Sequence, residues 1–344
     1  MMLYIKRLSV GFATVVTCVS AQAVDLVTTG DTTLSIGGYI KAEGAFNSPD
    51  EGESEFKGNL RQSRINVKTT KSVDDKKLTG FIEGDFYGDY AKGGSNLRLR
   101  HAYVQVDDLT VGKTWNGQFL AVAPLSTEQI DFWGTGLGTA SGGGSYIRPD
   151  LTLHYTYKGL RFTAQDPVYD NASLPDMVVS YKDKISNFEY NVAVTARDAE
   201  NGDGSDVGIG VSLAGKLTLG KDSLHASIYN GKGMGAYSAI CVGGPLVMNG
   251  GVDCDAEDGK LISQTGYSVG YKHQFTQKLR GNLRYGEVNV DDAADTSANV
   301  KSANLIYEYL PDLDLGIEWR NQDVTTFPWM PAGQQIEIMA KYDF

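Results

Sequence analysis

Val207-Gly208-Ile209-Gly210-Val211-Ser212-Leu213-Ala214-Gly215-Lys216-Leu217-Thr218-Leu219 decides the fold. Val207, Ile209, Val211, Leu213, Gly215, Leu217 and Leu219 share one face of an extended chain, and Gly208, Gly210, Ser212, Ala214 and Lys216 share the other. Side chains of a strand alternate between two faces, so this is a strand with one continuous apolar side. Soluble strands average about five or six residues, whereas roughly 9–11 tilted residues cross a bilayer. This one is long enough to cross.

The pattern recurs on both sides of that stretch. Phe188, Tyr190, Val192, Val194 and Ala196 oppose Glu189, Asn191, Thr195 and Arg197. Tyr267, Val269 and Tyr271 oppose Ser268, Gly270 and Lys272, and Leu279, Leu283 and Tyr285 oppose Arg280, Asn282 and Arg284. Leu313, Leu315, Ile317 and Trp319 oppose Asp314, Glu318 and Arg320. No segment sustains a helical period. A soluble sandwich would also alternate, but with shorter strands and without so many glycines and charges of both signs on the polar faces. The 41 glycines and 19 tyrosines against 9 prolines suit a barrel wall with interfacial tyrosine girdles. The fold class is therefore all-β, a transmembrane antiparallel up-and-down barrel.

Counting gives about sixteen strands, an even number as single-chain bacterial barrels require. They include expected spans at 33–46, 59–70, 96–106, 109–115, 146–157, 206–219 and 335–344. Connections alternate in length. Tight turns fall at Asp74-Asp75, Asp107-Asp108, Lys158-Gly159, Ser186-Asn187, Gly220-Lys221, Thr276-Gln277 and Pro311. Longer loops fall at 48–57, 87–95, 116–145, 166–175, 199–205, 231–262, 291–297 and 324–333. Short periplasmic turns and longer outer loops are the expected asymmetry. The third long loop, 116–145, is too long for an ordinary connection and is expected to fold into the lumen.

The ends fit the same picture. Lys6 and Arg7, a short apolar core and Ala21-Gln22-Ala23 form a secretory signal, so residues 1–23 are expected to be removed and 24–344 to form one barrel domain. Ile336, Ile338, Ala340, Tyr342 and Phe344 alternate up to a terminal aromatic, which resembles the signal read by the outer-membrane assembly machinery. The expected location is the bacterial outer membrane, in bilayer lipid and lipopolysaccharide. The net charge of −11 argues against nucleic acid as a partner. Cys241 and Cys254 lie in one Gly-rich segment and are expected to pair as a disulfide staple.

If the apolar faces meet lipid, the opposite faces line water. Parity places Lys41, Arg64, Arg98, Arg100, Arg280, Arg284 and Arg320 inward together with Glu83 and Asp85. Arg98 and Arg100 stand on one face about 7 Å apart, and Arg64 joins them as a basic wall. Glu128 and Asp131 of the third loop are expected opposite that wall, setting a transverse field. Phe119, Phe132 and Trp133 either form an apolar slide or anchor the loop. Arg98 and Arg100 either select anions or pair with Glu83 and Asp85 and stiffen the wall. Rings of arginine and lysine favour anions. Of the histidines, parity sends His154 and His225 inward and His101 and His273 outward. His225 shares a face with Ser227 but has no third partner, so no enzyme is read here, and neither cofactor nor metal is called for.

Gly38-Tyr39-Ile40-Lys41, Arg61-Gln62-Ser63-Arg64, Glu83-Gly84-Asp85-Phe86, Arg98-Leu99-Arg100-His101-Ala102-Tyr103, Val111-Gly112-Lys113-Thr114-Trp115 and Asp131-Phe132-Trp133-Gly134 resemble the DcaP-type outer-membrane porins. The resemblance is strongest in the first half of the chain. It implies a homotrimeric sixteen-stranded channel with an inward third loop and a preference for small anionic solutes, notably dicarboxylates. The expected function is passive diffusion of hydrophilic solutes. A general, weakly selective porin and a non-channel adhesin barrel are the alternatives.

Overall fold

The computed structural model describes residues 24–89, 93–132, 147–168, 172–201, 204–237, 255–293, 295–324 and 332–344. The first half holds β1 (Val24–Thr29), β2 (Thr32–Pro49), β3 (Glu55–Asn59), β4 (Arg64–Val73), β5 (Lys76–Gly88), β6 (Asn96–Val106), β7 (Leu109–Lys113), the short helix α1 (Gly117–Val122), β8 (Thr152–Tyr157) and β9 (Leu160–Gln165). There follow β10 (Asp176–Ile185), β11 (Phe188–Glu200), β12 (Ser205–Leu219) and β13 (Asp222–Lys232), and a small hairpin of β14 (Ala256–Glu257) and β15 (Lys260–Leu261). The chain ends in β16 (Ser263–Gln274), β17 (Leu279–Val290), β18 (Ser297–Leu310), β19 (Leu313–Val324) and β20 (Gly333–Asp343).

These segments close into one antiparallel barrel of sixteen wall strands. β3 and β4 together make one wall strand, interrupted at 60–63, because β3 pairs with the second half of β2 and β4 with its first half. Closure runs from Tyr39 opposite Asp343 to Pro49 opposite Gly333. It removes the free edges that would otherwise promote aggregation. Phe344 exchanges backbone hydrogen bonds with Gly38 at 2.9 and 3.1 Å. Val24 of β1 lies opposite Ile36, so β1 continues the line of β20 along the same edge of β2.

The usual inside and outside are exchanged. On β12, Val207, Ile209, Val211 and Leu213 are exposed, and Gly208, Gly210, Ser212 and Ala214 are buried. Ile40, Val179, Val194, Val269, Leu283 and Ile338 continue this outward apolar band on other strands. An apolar surface of that extent needs a non-aqueous surrounding. Tyr155, Tyr157, Phe188, Phe275, Tyr309 and Tyr342 are exposed towards the tight-turn end, where ring bodies sit in an interface. Among the described residues no helix is long and apolar enough to cross a membrane, so the crossing is by strands.

The tight turns are built on left-handed residues: Asp74, Asp107, Lys158, Ser186 and Asp312 have φ between 47° and 65°. Asp tolerates this region because its short side chain bonds the neighbouring backbone. Asp107 Oδ1 accepts from the amide of Lys77 on the neighbouring strand β5 at 2.9 Å. Asp107→Val removes that bond and adds a β-branch at positive φ. It is expected to cost about 1–2 kcal/mol, read as a lower melting temperature of the detergent-solubilised barrel; an unchanged melting temperature would contradict it.

Some expected boundaries shift. The strand expected at 109–115 stops at Lys113, and the one expected at 146–157 is formed only from Thr152. The strand expected from residue 59 begins earlier, at Glu55, and is broken before Arg64. One parity assignment is overturned. Glu83 pairs with His101 and Gly84 with Leu99, leaving Arg100 as an extra residue on β6. This β-bulge puts two residues against one and resets the alternation. Arg98, Arg100 and His101 all point inward as a result, and His101, expected outward, is buried. The signal segment 1–23, Trp133, Cys241 and Cys254 lie outside the described residues.

Candidate functional site: the lumen and its inward loop

The third long loop leaves β7 and runs round the inner wall. Asn116 caps α1, its Oδ1 accepting from the Phe119 amide at 2.8 Å. The Gly117 amide donates to Gln165 Oε1 at 3.0 Å. A Cβ at Gly117 would lie within 2.9 Å of Thr163 and Val178 atoms, so only glycine lets the helix start this close to β9 and β10. Ala121, Val122 and Leu125 then pack on Val178, Ala193 and Ala214 of β10, β11 and β12. His225 Nδ1 of β13 meets the Leu125 carbonyl at 2.7 Å.

Further along, the wall grips the loop by its charges and backbone. Lys272 of β16 and Arg280 of β17 donate to the Glu128 carboxylate at 2.7 and 3.0 Å. Asn304 of β18 donates to the Glu128 carbonyl at 3.0 Å. Glu318 of β19 and Glu337 of β20 accept from the Ile130 and Phe132 amides, each at 3.0 Å. Lys41 of β2 donates to the Ile130 carbonyl at 2.6 Å, and Asn59 of β3 to that of Phe132 at 3.1 Å. Beneath this tip lies a buried ionic cluster. Arg320 pairs with Glu318 at 2.9 Å, Glu337 at 3.5 Å and Asp131 at 3.7 Å, and Lys41 with Glu43 at 2.7 Å. Fastened from β9 round to β3, residues 116–132 of the loop form a belt on the wall.

The remaining face carries the arginines. Arg98 forks onto Asp85, with Nε to Oδ1 at 2.9 Å and Nη2 to Oδ2 at 2.6 Å. Arg100 bonds Glu83 at 2.9 Å and Asp85 at 2.7 Å. Arg64 stands 3.8 Å from Glu83. The Arg98 side chain is 42% exposed and that of Arg64 28%, whereas Arg100 is buried. Each cation lies over a ring: Arg64 over Tyr39 and Arg98 over Tyr87, both at 5.1 Å. Arg100 and Arg148 share Trp115 at 5.6 and 4.5 Å. Such contacts hold guanidinium groups without neutralising them. Burial first, and then the charges of Arg100, Arg98 and Arg64, hold the Arg148 guanidinium well below the usual arginine range. Arg64, Arg98 and Arg100 therefore converge on two carboxylates, Glu83 and Asp85.

Several expected site residues take other places. Glu128 and Asp131 do not stand as bare acids facing the arginines; Glu128 is engaged by Lys272 and Arg280, and Asp131 by Arg320. The reason is local: the loop crosses a wall already rich in cations, and its acids pair there. Phe119 is buried and stacks on Trp115 at 4.2 Å, which anchors the loop. Arg280 also bonds Asp314 at 2.6 Å, and Arg284 lines a small cavity with His225 and Ser268. The sequence reading did not include Arg148 in the basic face, nor a second inward loop. For the loop there was a signal: Gly208, Gly210, Ser212 and Ala214 are small because other segments lie on them.

Sixteen strands narrowed by an inward third loop define the porin fold. The DcaP outer-membrane channel of Acinetobacter baumannii shares it, with a TM-score of 0.76 at 18% identity over 93% of this chain and 99% of that one. The anion-selective porin of Comamonas acidovorans superposes with a TM-score of 0.67 at 12% identity, over 91% of this chain and 100% of that one. The trimer form of OmpT, an outer-membrane protein of Vibrio cholerae, does so at 0.64 and 14%, over 92% and 100%. No family model and no curated protein matches the sequence.

Proposed function

We propose that the chain is a passive diffusion channel of the bacterial outer membrane whose lumen favours small anionic solutes, dicarboxylates among them. The observation that carries this is the exposure of the Arg98 and Arg64 side chains on the face opposite the fastened loop. In a channel with low-dielectric walls, such charges raise the local concentration of anions. Glu83 and Asp85 neutralise part of that charge, which sets a graded preference rather than strict selection. A homotrimer fits the trimer form of one structural neighbour, and the anion preference fits the printed description of another. Export by residues 1–23 and assembly through Phe344 complete the proposal. No hydrolytic role is assigned: His225 bonds Ser223 at 2.8 Å, but both are buried under the loop.

The test is reconstitution of the folded protein in a planar bilayer. Discrete current steps are expected. A barrel that inserts and gives no steps would end the channel assignment and favour a blocked, structural barrel.

A further inference from the structure

The inner face of β9 to β13 carries a second covering above α1. Gly233 and Met234, at the start of the sixth long loop, lie against the inner glycines of β12: a Cβ at Gly208 would come within 2.6 Å of the Gly233 carbonyl oxygen, and one at Gly210 within 3.1 Å of Met234. Ile147, Val168, Tyr229, Met234, Ala236 and Tyr237 form one buried apolar cluster there, drawing on three loops and β13. The guanidinium of Arg197 sits under it. The Arg197 side chain is fully buried, with Nη1 donating to Asp255 at 2.8 Å and Nη2 to the Val168 carbonyl at 2.9 Å. Its Nε lies 3.6 Å from Asp176. Both aspartates are engaged in turn with the sixth loop. Asp255 accepts from the Gly235 amide at 2.6 Å and Asp176 from the Tyr237 hydroxyl at 2.6 Å. Without the guanidinium, two buried carboxylates would face each other across the loop base.

We propose that Arg197 is a specificity-determining positioning residue: by tying Asp255, Asp176 and the Val168 carbonyl together, it holds the base of the sixth loop over β9 to β13 and confines solute passage to the arginine face. The inference rests on the channel assignment above. It differs from it in placing selectivity partly in a residue that does not touch solute. A lumen with that base released is wider at the height of Gly208 and Gly210, where Gly233 and Met234 otherwise lie and the inner wall carries no charge, while α1 stays on Ala193 and Ala214 below.

The test is Arg197→Met in the full chain, folded in cells and checked by heat-modifiable gel mobility. A Ser212→Cys reporter sits on the inner face of β12, buried in the intact barrel. On whole cells a membrane-impermeant maleimide, read at that site by peptide mass, is expected to label it more than tenfold faster with Arg197→Met, because labelling of a covered site follows the free energy of local opening. In bilayers the conductance step is expected to rise and the reversal potential to move towards zero. Arg197→Lys restores part of both. If Arg197→Met does not fold, Asp255→Asn serves in its place. Unchanged labelling overturns the proposal. So does faster labelling with unchanged conductance and reversal potential, which would make the loop base irrelevant to passage. Faster labelling in a protein whose parent passes no current would overturn the channel assignment, and with it the role in specificity, while leaving the fastening of the loop by Arg197 supported.

Discussion

Arg320→Met is expected to unfasten the tip of the third loop. Arg320 is fully buried and is the cation between Glu318, Glu337 and Asp131. Two of those carboxylates hold the loop by its backbone, at the Ile130 and Phe132 amides. Methionine fills the volume of the arginine stem but leaves two buried acids and the half-buried Asp131 with Lys41 as the neighbouring cation, already committed to Glu43 and the Ile130 carbonyl. Removing one partner of a buried ion pair typically costs about 3–5 kcal/mol. Part of that is recovered when a carboxylate takes up a proton, so about 2–4 kcal/mol is expected here. The loss falls on the contact between loop and wall rather than on the strand ladder. Hydrogen exchange at the Ile130 and Phe132 amides should therefore accelerate by orders of magnitude while the β11–β12 ladder stays protected. Equal protection at both amides in the variant and the parent would show that the ionic cluster does not hold the loop.

Arg98→Glu should have the largest effect on selectivity. The exposed guanidinium is replaced by a carboxylate beside Glu83 and Asp85, and the face loses two units of positive charge. At about 8 Å and an effective dielectric of about 20, two units amount to about 4 kcal/mol for a monovalent ion; screening in a wet channel reduces this to about 1–2 kcal/mol. That corresponds to roughly a tenfold change in the ratio of anion to cation permeability. Arg98→Gln, which removes one unit, should fall between. Measured as reversal potentials under a salt gradient, the three proteins form a graded series. A flat series would place the selecting charge elsewhere.

What the sequence made legible follows from the period-two rule. Val207 to Leu219 shows both faces of its strand, and the same parity placed Lys41, Arg64, Arg280, Arg284 and Arg320 inward, as the structure has them. Parity fails where the backbone departs from two residues per repeat. The bulge at Arg100 is such a place, and nothing in Leu99-Arg100-His101 announces it, because a bulge depends on how β5 and β6 pair. Partners are harder still. Glu128 was legible as a loop acid, but its distance to Lys272 and Arg280 depends on the path of the loop across four strands. The small inner face of Gly208, Gly210, Ser212 and Ala214 was visible, and it could have been taken as a footprint: a water-filled lumen has no need of small residues, whereas a packed loop does. Arg148 falls within the span expected at 146–157 and shares the parity of His154, which points it inward, although β8 itself begins only at Thr152.

The sign of the reversal potential of the unmodified protein under a KCl gradient tests the anion-favouring lumen most directly. A channel governed by the exposed Arg98 and Arg64 gives the sign of chloride passing more readily than potassium. A potassium-selective sign, or zero, would contradict it.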